Sequence, residues 1–121
     1  MSLAAYRVIH IFSIMLMFTA LGGLILASQA KVQTDAGRKM VGMLHGIALI
    51  LILVSGFGGL AKIGLSNPGA WPLWLWLKAL IWLAFGGVIV IVRRAPGLAS
   101  LMWWVLPLLG ALAGYLAIFK P

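Results

Sequence analysis

Apolar residues fill four long stretches of the chain, and polar residues collect in the short segments between them. The apolar stretches cover about 3–27, 40–61, 71–92 and 98–119, and each can span a hydrocarbon core of about 30 Å as a helix. Short connections make consecutive helices antiparallel neighbours. The pattern therefore predicts an all-α integral membrane protein, a single domain over 1–121 with four transmembrane helices in an up-down-up-down bundle.

Basic residues are distributed unevenly between the two ends of this predicted bundle. One end carries Lys31, Arg38, Lys39, Arg93 and Arg94. The other end carries Arg7, Lys62 and Lys120. Because Lys and Arg favour cytoplasmic connections, the distribution predicts an inner (plasma) membrane protein with both termini outside.

The composition narrows the classes of function. Of the residues, 64% are hydrophobic and 8% charged, with a formal net charge of +8. Most of the positive charge flanks apolar stretches, where it meets lipid headgroups, so the expected partner is the lipid bilayer and not nucleic acid. A homodimer or a larger membrane complex is also compatible with the pattern. The chain has no cysteine, which excludes disulfides and thiolate metal sites.

Small residues recur at four-residue spacing inside the apolar stretches, as in the pairs Gly42/Gly46 and Gly110/Gly114. Such faces let helix backbones approach closely in lipid. Packing within one chain, a dimer contact and room for a flat cofactor all fit the spacing. The packing interpretation predicts that Gly46→Leu destabilises the bundle or a dimer.

Four ionisable side chains fall inside the predicted spans: Arg7, His10, His45 and Lys78. The only acidic residue, Asp35, lies in a polar connection, so it supplies no partner for Lys78 within the membrane. From helix rise, His10 and Lys78 lie at depths that agree within roughly 2 Å. His45 lies roughly 15–17 Å from His10 along the membrane normal. His10 and Lys78 can therefore share a site that His45 does not reach.

Each of these side chains also has a structural interpretation. His10 can be a neutral histidine bonded to a carbonyl or to Ser13, and His45 can likewise be structural. Lys78 can extend towards the surface, and Arg7 can anchor the chain at the headgroups. The alternative to these structural roles is a cofactor site for haem. Haem requires an imidazole for its iron and cations for its two propionates, and the histidine, lysine and arginine side chains supply both.

Three segments carry a resemblance to known proteins. They are YRVIHIFSIMLMFTALGGL with His10, RKMVGMLHGIALILILVSGFGGL with His45, and WLWLKALIWLAFGGVIVIVRR with Lys78. The chain resembles the small multi-helix membrane proteins of the SirB-like, CopD-like and HemJ-like group. The resemblance implies that His10 and Lys78 match a first-helix histidine and a third-helix lysine, and that His45 matches the SirB-like second-helix histidine. HemJ-like proteins bind b-type haem and oxidise protoporphyrinogen, whereas CopD-like proteins are associated with copper handling.

Taken together, the residues and the resemblance favour a membrane-embedded protein that binds haem b or a related tetrapyrrole. It would act in electron transfer or porphyrin redox chemistry, and whether it is itself an enzyme stays open. His10 is the first candidate for the iron ligand and His45 the second metal candidate, with Lys78 and Arg7 as further cofactor-binding residues. The alternative is a non-enzymatic protein, either copper-handling or an accessory subunit of a larger membrane complex.

Overall fold

Four long helices make up almost all of the computed structural model, which describes residues 1–32 and 34–120. The helices are α1 (Leu3–Ala30), α2 (Asp35–Lys62), α3 (Leu73–Arg94) and α4 (Ala99–Phe119), and no strand is found among the described residues. Each helix is long and apolar enough to cross a membrane. The predicted all-helical architecture with four membrane-length helices is confirmed. Gln33 of the first predicted connection and Pro121 at the end of the predicted domain lie outside the described residues.

The helix ends differ most from the prediction at the first connection, which is much shorter than expected. Helix α1 continues to Ala30 and ends where Lys31 adopts a left-handed conformation with φ of 55°. Helix α2 begins at Asp35, because the Thr34 hydroxyl accepts a hydrogen bond of 3.0 Å from the Gly37 amide. The polar residues 35–39, predicted as a loop, therefore form the first turn of α2. Capping by one threonine outweighs their lack of apolar character.

Helices α1 and α2 pack through a face of small residues on α2. Tyr6 lies so close to Gly58 that a Cβ there would overlap its ring, and a Cβ on Gly59 would lie 3.7 Å from Leu3. Further along, Gly23 of α1 lies opposite Val41 of α2, and a Cβ on Gly23 would lie 3.9 Å from the Val41 side chain. The prediction that helices of this chain approach closely at glycines is thus confirmed for α1 and α2.

The glycine pair predicted on α2, Gly42/Gly46, makes a contact only through Gly42, where a Cβ would lie 3.9 Å from the Arg93 side chain of α3. A Cβ on Gly46 would meet nothing within 4 Å among the described residues, so Gly46 closes no helix contact within the chain. In the other pair, a Cβ on Gly110 would lie 2.9 Å from Phe18, whereas one on Gly114 would again meet nothing. The α2 contact is made by Gly58, because that residue faces α1.

Helix α3 is joined to α2 in its middle part by two hydrogen bonds from side chains to backbone carbonyls, in addition to one near its end from Arg93 Nη2 to the Arg38 carbonyl. His45 Nε2 donates to the Phe85 carbonyl at 3.0 Å. Trp82 Nε1 donates to the Leu49 carbonyl at 3.1 Å. Phe85 also packs edge-on against Phe18 of α1, with ring centroids 5.4 Å apart. These contacts bring α1, α2 and α3 together at one level of the bundle.

The outer surface of the four helices is strongly apolar. Large aliphatic side chains such as Ile50, Leu80 and Leu108 are more than half exposed. Only three polar or charged side chains are buried among the described residues: Ser13, His45 and Ser55. The helices thus expose many large apolar side chains, as a lipid-facing surface would require.

Candidate functional site

A cavity of about 640 Å³ lies between α1, α3 and α4. Its α1 wall follows helical spacing, with lining residues Arg7, His10, Ile11, Ile14, Met17 and Phe18. From Arg7 to Phe18 the wall extends about 16 Å along the helix axis. A cavity of this volume with an apolar wall and a few polar groups is typical of small-molecule and cofactor sites.

The cavity exists because α4 presents small side chains to it. The residues that α4 contributes include Gly110, Ala113, Gly114 and Ala117, which repeat every three or four positions on one helix face. Phe18 fills the space beside Gly110, while the space beside Gly114 stays open. Gly110 therefore makes a close helix contact, and Gly114 leaves space that a ligand could occupy. The pair thus fits both the packing interpretation and the cofactor interpretation of its spacing.

Four basic or potentially basic side chains line this cavity: Arg7, His10, Lys78 and Lys120. Among the described residues that line it, none is acidic. As the matched depths predict, the structure places His10 and Lys78 on the wall of one cavity. Such a set of groups favours a ligand that carries negative charge.

The hydrogen bonds of His10 determine which ring nitrogen is open to a ligand. Its Nδ1 lies 2.8 Å from the Ser55 hydroxyl. That hydroxyl has one proton, which it directs to the Leu51 carbonyl at 2.6 Å. Ser55 therefore accepts from Nδ1–H, and the lone pair of the neutral imidazole is on Nε2. The Ile52 backbone also interacts with the ring, and no described side chain donates a hydrogen bond to Nε2, so its lone pair can serve as the ligand atom.

The glycine next to Ser55 makes room for the imidazole. A Cβ on Gly56 would lie 3.4 Å from His10 Cε1, so the ring rests directly against the α2 backbone. Ser55 itself is only 3% exposed. The Ser55-Gly56 step thus both orients His10 and holds it close to α2.

A second, smaller cavity of about 120 Å³ adjoins the first. His10, Lys78 and Trp82 line both cavities and so form the wall between them. The hydrogen bond from Trp82 to the Leu49 carbonyl holds one part of this wall in place. His10 and Lys78 are therefore accessible from two spaces, one of them large enough for a sizeable ligand.

His45 has a different environment from His10. It is 5% exposed, its Nε2 donates to the Phe85 carbonyl, and it lines neither of the two cavities beside His10. A ring nitrogen that donates a proton to a carbonyl is not free to bind a metal, which leaves Nδ1 as the possible ligand atom. The structure therefore brings Arg7, His10 and Lys78 together and places His45 in a contact between α2 and α3.

Three features of the site were missed in the sequence. Lys120 had been assigned only to the orientation of the chain, yet it lines the cavity and its Nζ lies 5.7 Å from the Trp74 ring centroid. Nothing in the sequence pattern indicates Ser55 as a partner of His10, for which a carbonyl or Ser13 is the predicted structural partner. Ser13 instead donates to the Ile9 carbonyl of its own helix at 2.6 Å. The small face of α4 was a detectable signal for the cavity.

The described residues contain no group of three or more His, Cys, Asp or Glu side chains that could hold a metal ion. Comparison with known proteins adds no relative: no family model matches the chain, and no curated protein or solved structure matches it significantly.

Proposed function

We propose that the chain binds a b-type haem or a related tetrapyrrole in the cavity between α1, α3 and α4. The observation that supports the proposal is the convergence of one imidazole with an open Nε2 and three cationic side chains on one apolar cavity. The cavity offers the iron an imidazole and offers the propionates cations, and none of the described lining residues would repel them. The residues present therefore fit the group.

In this proposal each cavity residue has its own role. His10 supplies Nε2 to the iron, and Ser55 holds the ring in the required tautomer. Lys78, inside the cavity, either provides an amine to the iron or holds a propionate. Arg7 and Lys120, both exposed, pair with propionates near the opening. The bound group would supply one-electron redox chemistry, for electron transfer or porphyrin oxidation.

The proposal includes a membrane topology, in which four helices cross the inner membrane up-down-up-down with both termini outside. Two groups of contacts support it. The first group consists of the contacts Tyr6–Gly58 and Lys120–Trp74. The second group consists of the contacts Arg38–Arg93 and Gln29–Trp103. The first group joins the start of α1, the end of α2, the start of α3 and the end of α4. The second group joins the opposite helix ends and coincides with the more basic side.

An absorption spectrum of the purified full-length protein tests the haem proposal. We expect a Soret band after expression with haem precursors or after addition of hemin to the detergent-solubilised protein. His10→Ala should abolish the band, because it removes the iron ligand. Lys78→Met should shift or weaken it, because the side chain length is kept while the amine is lost.

His45→Phe is the matched control, since it removes the other histidine while keeping a ring in the contact with α3. We expect this variant to keep the Soret band of the wild type. A wild-type protein that stays colourless with added hemin, or a band that survives His10→Ala and disappears in His45→Phe, would refute the proposed site.

A second candidate function is copper handling without catalysis. Met17 and His10 line the same cavity, and a thioether with an imidazole is a ligand combination that suits Cu(I). The two functions differ in their spectra, because Cu(I) bound to these ligands gives no Soret band. A colourless protein that binds one equivalent of Cu(I), with binding lost in Met17→Leu, would favour this candidate.

A further inference from the structure

A separate groove lies at the opposite end of the bundle from His10. It has a volume of about 370 Å³ and is lined by residues of α1, α2 and α3, with Arg93 as the contribution of α3. None of the residues that line the groove also lines the cavity of His10. The groove is thus a distinct space, and the proposed haem function leaves it unused.

Arg93 is held in the groove by a contact across two helices. Its Nη2 donates to the Arg38 backbone carbonyl at 3.3 Å, which fixes the guanidinium beside the first turns of α2. Gly42 lies beside it, since a Cβ there would be in ordinary contact with Arg93 Nη2 at 3.9 Å. The position of the Arg93 guanidinium therefore depends on a contact with α2, whose residues are far from Arg93 in the sequence.

The Nε of Arg93 is buried and has no hydrogen-bond partner among the described residues. A buried N–H group of a cation destabilises a fold considerably when that group has no acceptor, and a bound anion would supply the acceptor. Arg38 lines the same groove and adds a second positive charge, while none of the described lining residues is acidic. The groove therefore has the charge and the open donor that an anionic group requires.

The remainder of the groove is apolar, which identifies the kind of anion. Leu24 and Ala27 of α1 and Met40 and Val41 of α2 line it beside the two arginines. A soluble anion gains nothing from such a wall, whereas an acyl chain does. Basic pockets between transmembrane helices near the cytoplasmic surface bind anionic lipid headgroups in this way.

We propose that this groove is a binding site for one anionic phospholipid, with the phosphate on Arg93 and an acyl chain along the apolar wall. The proposal rests on the membrane location given under "Proposed function" but not on haem, so either can fail alone. The bound phosphate supplies an acceptor for Arg93 Nε and offsets the repulsion between Arg93 and Arg38. The lipid would thereby stabilise the contact between α2 and α3 at this end.

Native mass spectrometry of the full chain in mixed micelles tests the proposal. Detergent-solubilised protein is titrated with phosphatidylglycerol and, separately, with phosphatidylcholine of the same acyl composition. We expect one phosphatidylglycerol to be retained with an affinity about tenfold higher than that of phosphatidylcholine. Both lipids offer a phosphate to Arg93, but the choline of phosphatidylcholine adds a positive charge that Arg93 and Arg38 repel. Equal retention of the two lipids would overturn the proposal, whatever the variants do.

Two neighbouring arginines provide the matched variants. Arg93→Gln should lower the affinity for phosphatidylglycerol about tenfold, because the charge that contacts the phosphate is lost. Arg94→Gln removes the same charge from the next residue, which is exposed and does not line the groove, and should leave the affinity unchanged. Equal losses in the two variants would show general attraction to a basic surface and refute a defined site.

Two further measurements complete the test. Inorganic phosphate at millimolar concentration should fail to displace the lipid, and displacement would assign the site to a soluble anion instead. If Arg93→Gln does not fold, as judged by circular dichroism, Arg93→Lys serves in its place: it keeps the charge, lacks Nε and should also lower the affinity. Since no groove residue lines the cavity of His10, any Soret band should be the same in wild type and Arg93→Gln.

Discussion

Removal of the Ser55 hydroxyl is the sharpest test of how the candidate site is organised. The hydroxyl is 2.8 Å from His10 Nδ1 and donates its single proton to the Leu51 carbonyl at 2.6 Å. In Ser55→Ala the 2.8 Å acceptor is lost and only the Ile52 backbone remains beside the ring, while the burial of Ser55 keeps bulk water from replacing the hydroxyl. His10 then loses both its fixed tautomer and part of its basicity.

The size of the effect follows from the kind of contact. Removing a partner that orients a metal-binding histidine typically lowers metal affinity about 10–100-fold. This range corresponds to about 1.4–2.8 kcal/mol in binding free energy. The lost hydrogen bond between α1 and α2 should also lower the free energy of unfolding by about 0.6–1.7 kcal/mol, the range of interhelical bonds in membranes.

Titration of the ligand-free protein with hemin measures this affinity through the Soret band. Ser13→Ala is the matched control, because Ser13 is also fully buried and also donates to the carbonyl four residues earlier, but it makes no bond to His10. We expect Ser55→Ala to weaken hemin binding and Ser13→Ala to leave it close to the wild-type value. Equal affinities in wild type and Ser55→Ala would refute the role given to the hydroxyl.

A second measurement needs no haem. Nitrogen-15 spectra of the ligand-free wild type should show His10 with its proton on Nδ1, and Ser55→Ala should shift the ring towards a mixture of tautomers. A proton on Nε2 in the wild type would contradict the hydrogen-bond assignment directly.

The remaining predictions concern packing and topology. Gly58→Leu should lower the free energy of unfolding by about 1–3 kcal/mol, because the new side chain competes with the Tyr6 ring, whereas Gly46→Leu should change thermal stability little. His45→Phe should lower the unfolding free energy by about 0.6–1.7 kcal/mol through loss of the bond to the Phe85 carbonyl, as a thermal melt of the ligand-free protein can measure. A C-terminal reporter active only outside the cytoplasm should be active, and activity of a cytoplasm-dependent reporter would refute the topology.

The four helices were predictable because each is specified by a local property, a run of about 20 apolar residues. Their ends were less predictable, since an end depends on one or two hydrogen bonds. The beginning of α2 is an example: the Thr34 cap makes the polar residues 35–39 helical, although their composition resembles that of a loop. The sequence therefore indicates that a helix exists more reliably than it indicates where the helix begins.

The candidate site was predictable only along the membrane normal. Helix rise places His10 and Lys78 at one depth, and the structure indeed puts both on one cavity wall. The rotation of each helix about its own axis was not predictable, and this rotation determines which face of α2 meets α1. That rotation selects Ser55 over Ser13 as the partner of His10 and Gly58 over Gly46 as the contact for Tyr6. Weak amphipathicity leaves this rotation undetermined when nearly every face is apolar.

The charge balance of the chain links the two proposed sites. The sequence has nine Lys and Arg residues and one acidic residue, so most of its cations have no carboxylate of the protein to pair with. At the surface, water and headgroups solvate such cations cheaply, but Lys78 lies inside the bundle and Arg93 Nε is buried. Both positions are expensive for an isolated protein and become favourable once an anion arrives. Because the fold provides a cavity at Lys78 and a groove at Arg93, we infer that two ligands supply the missing negative charge, each amphiphilic enough to match its apolar walls.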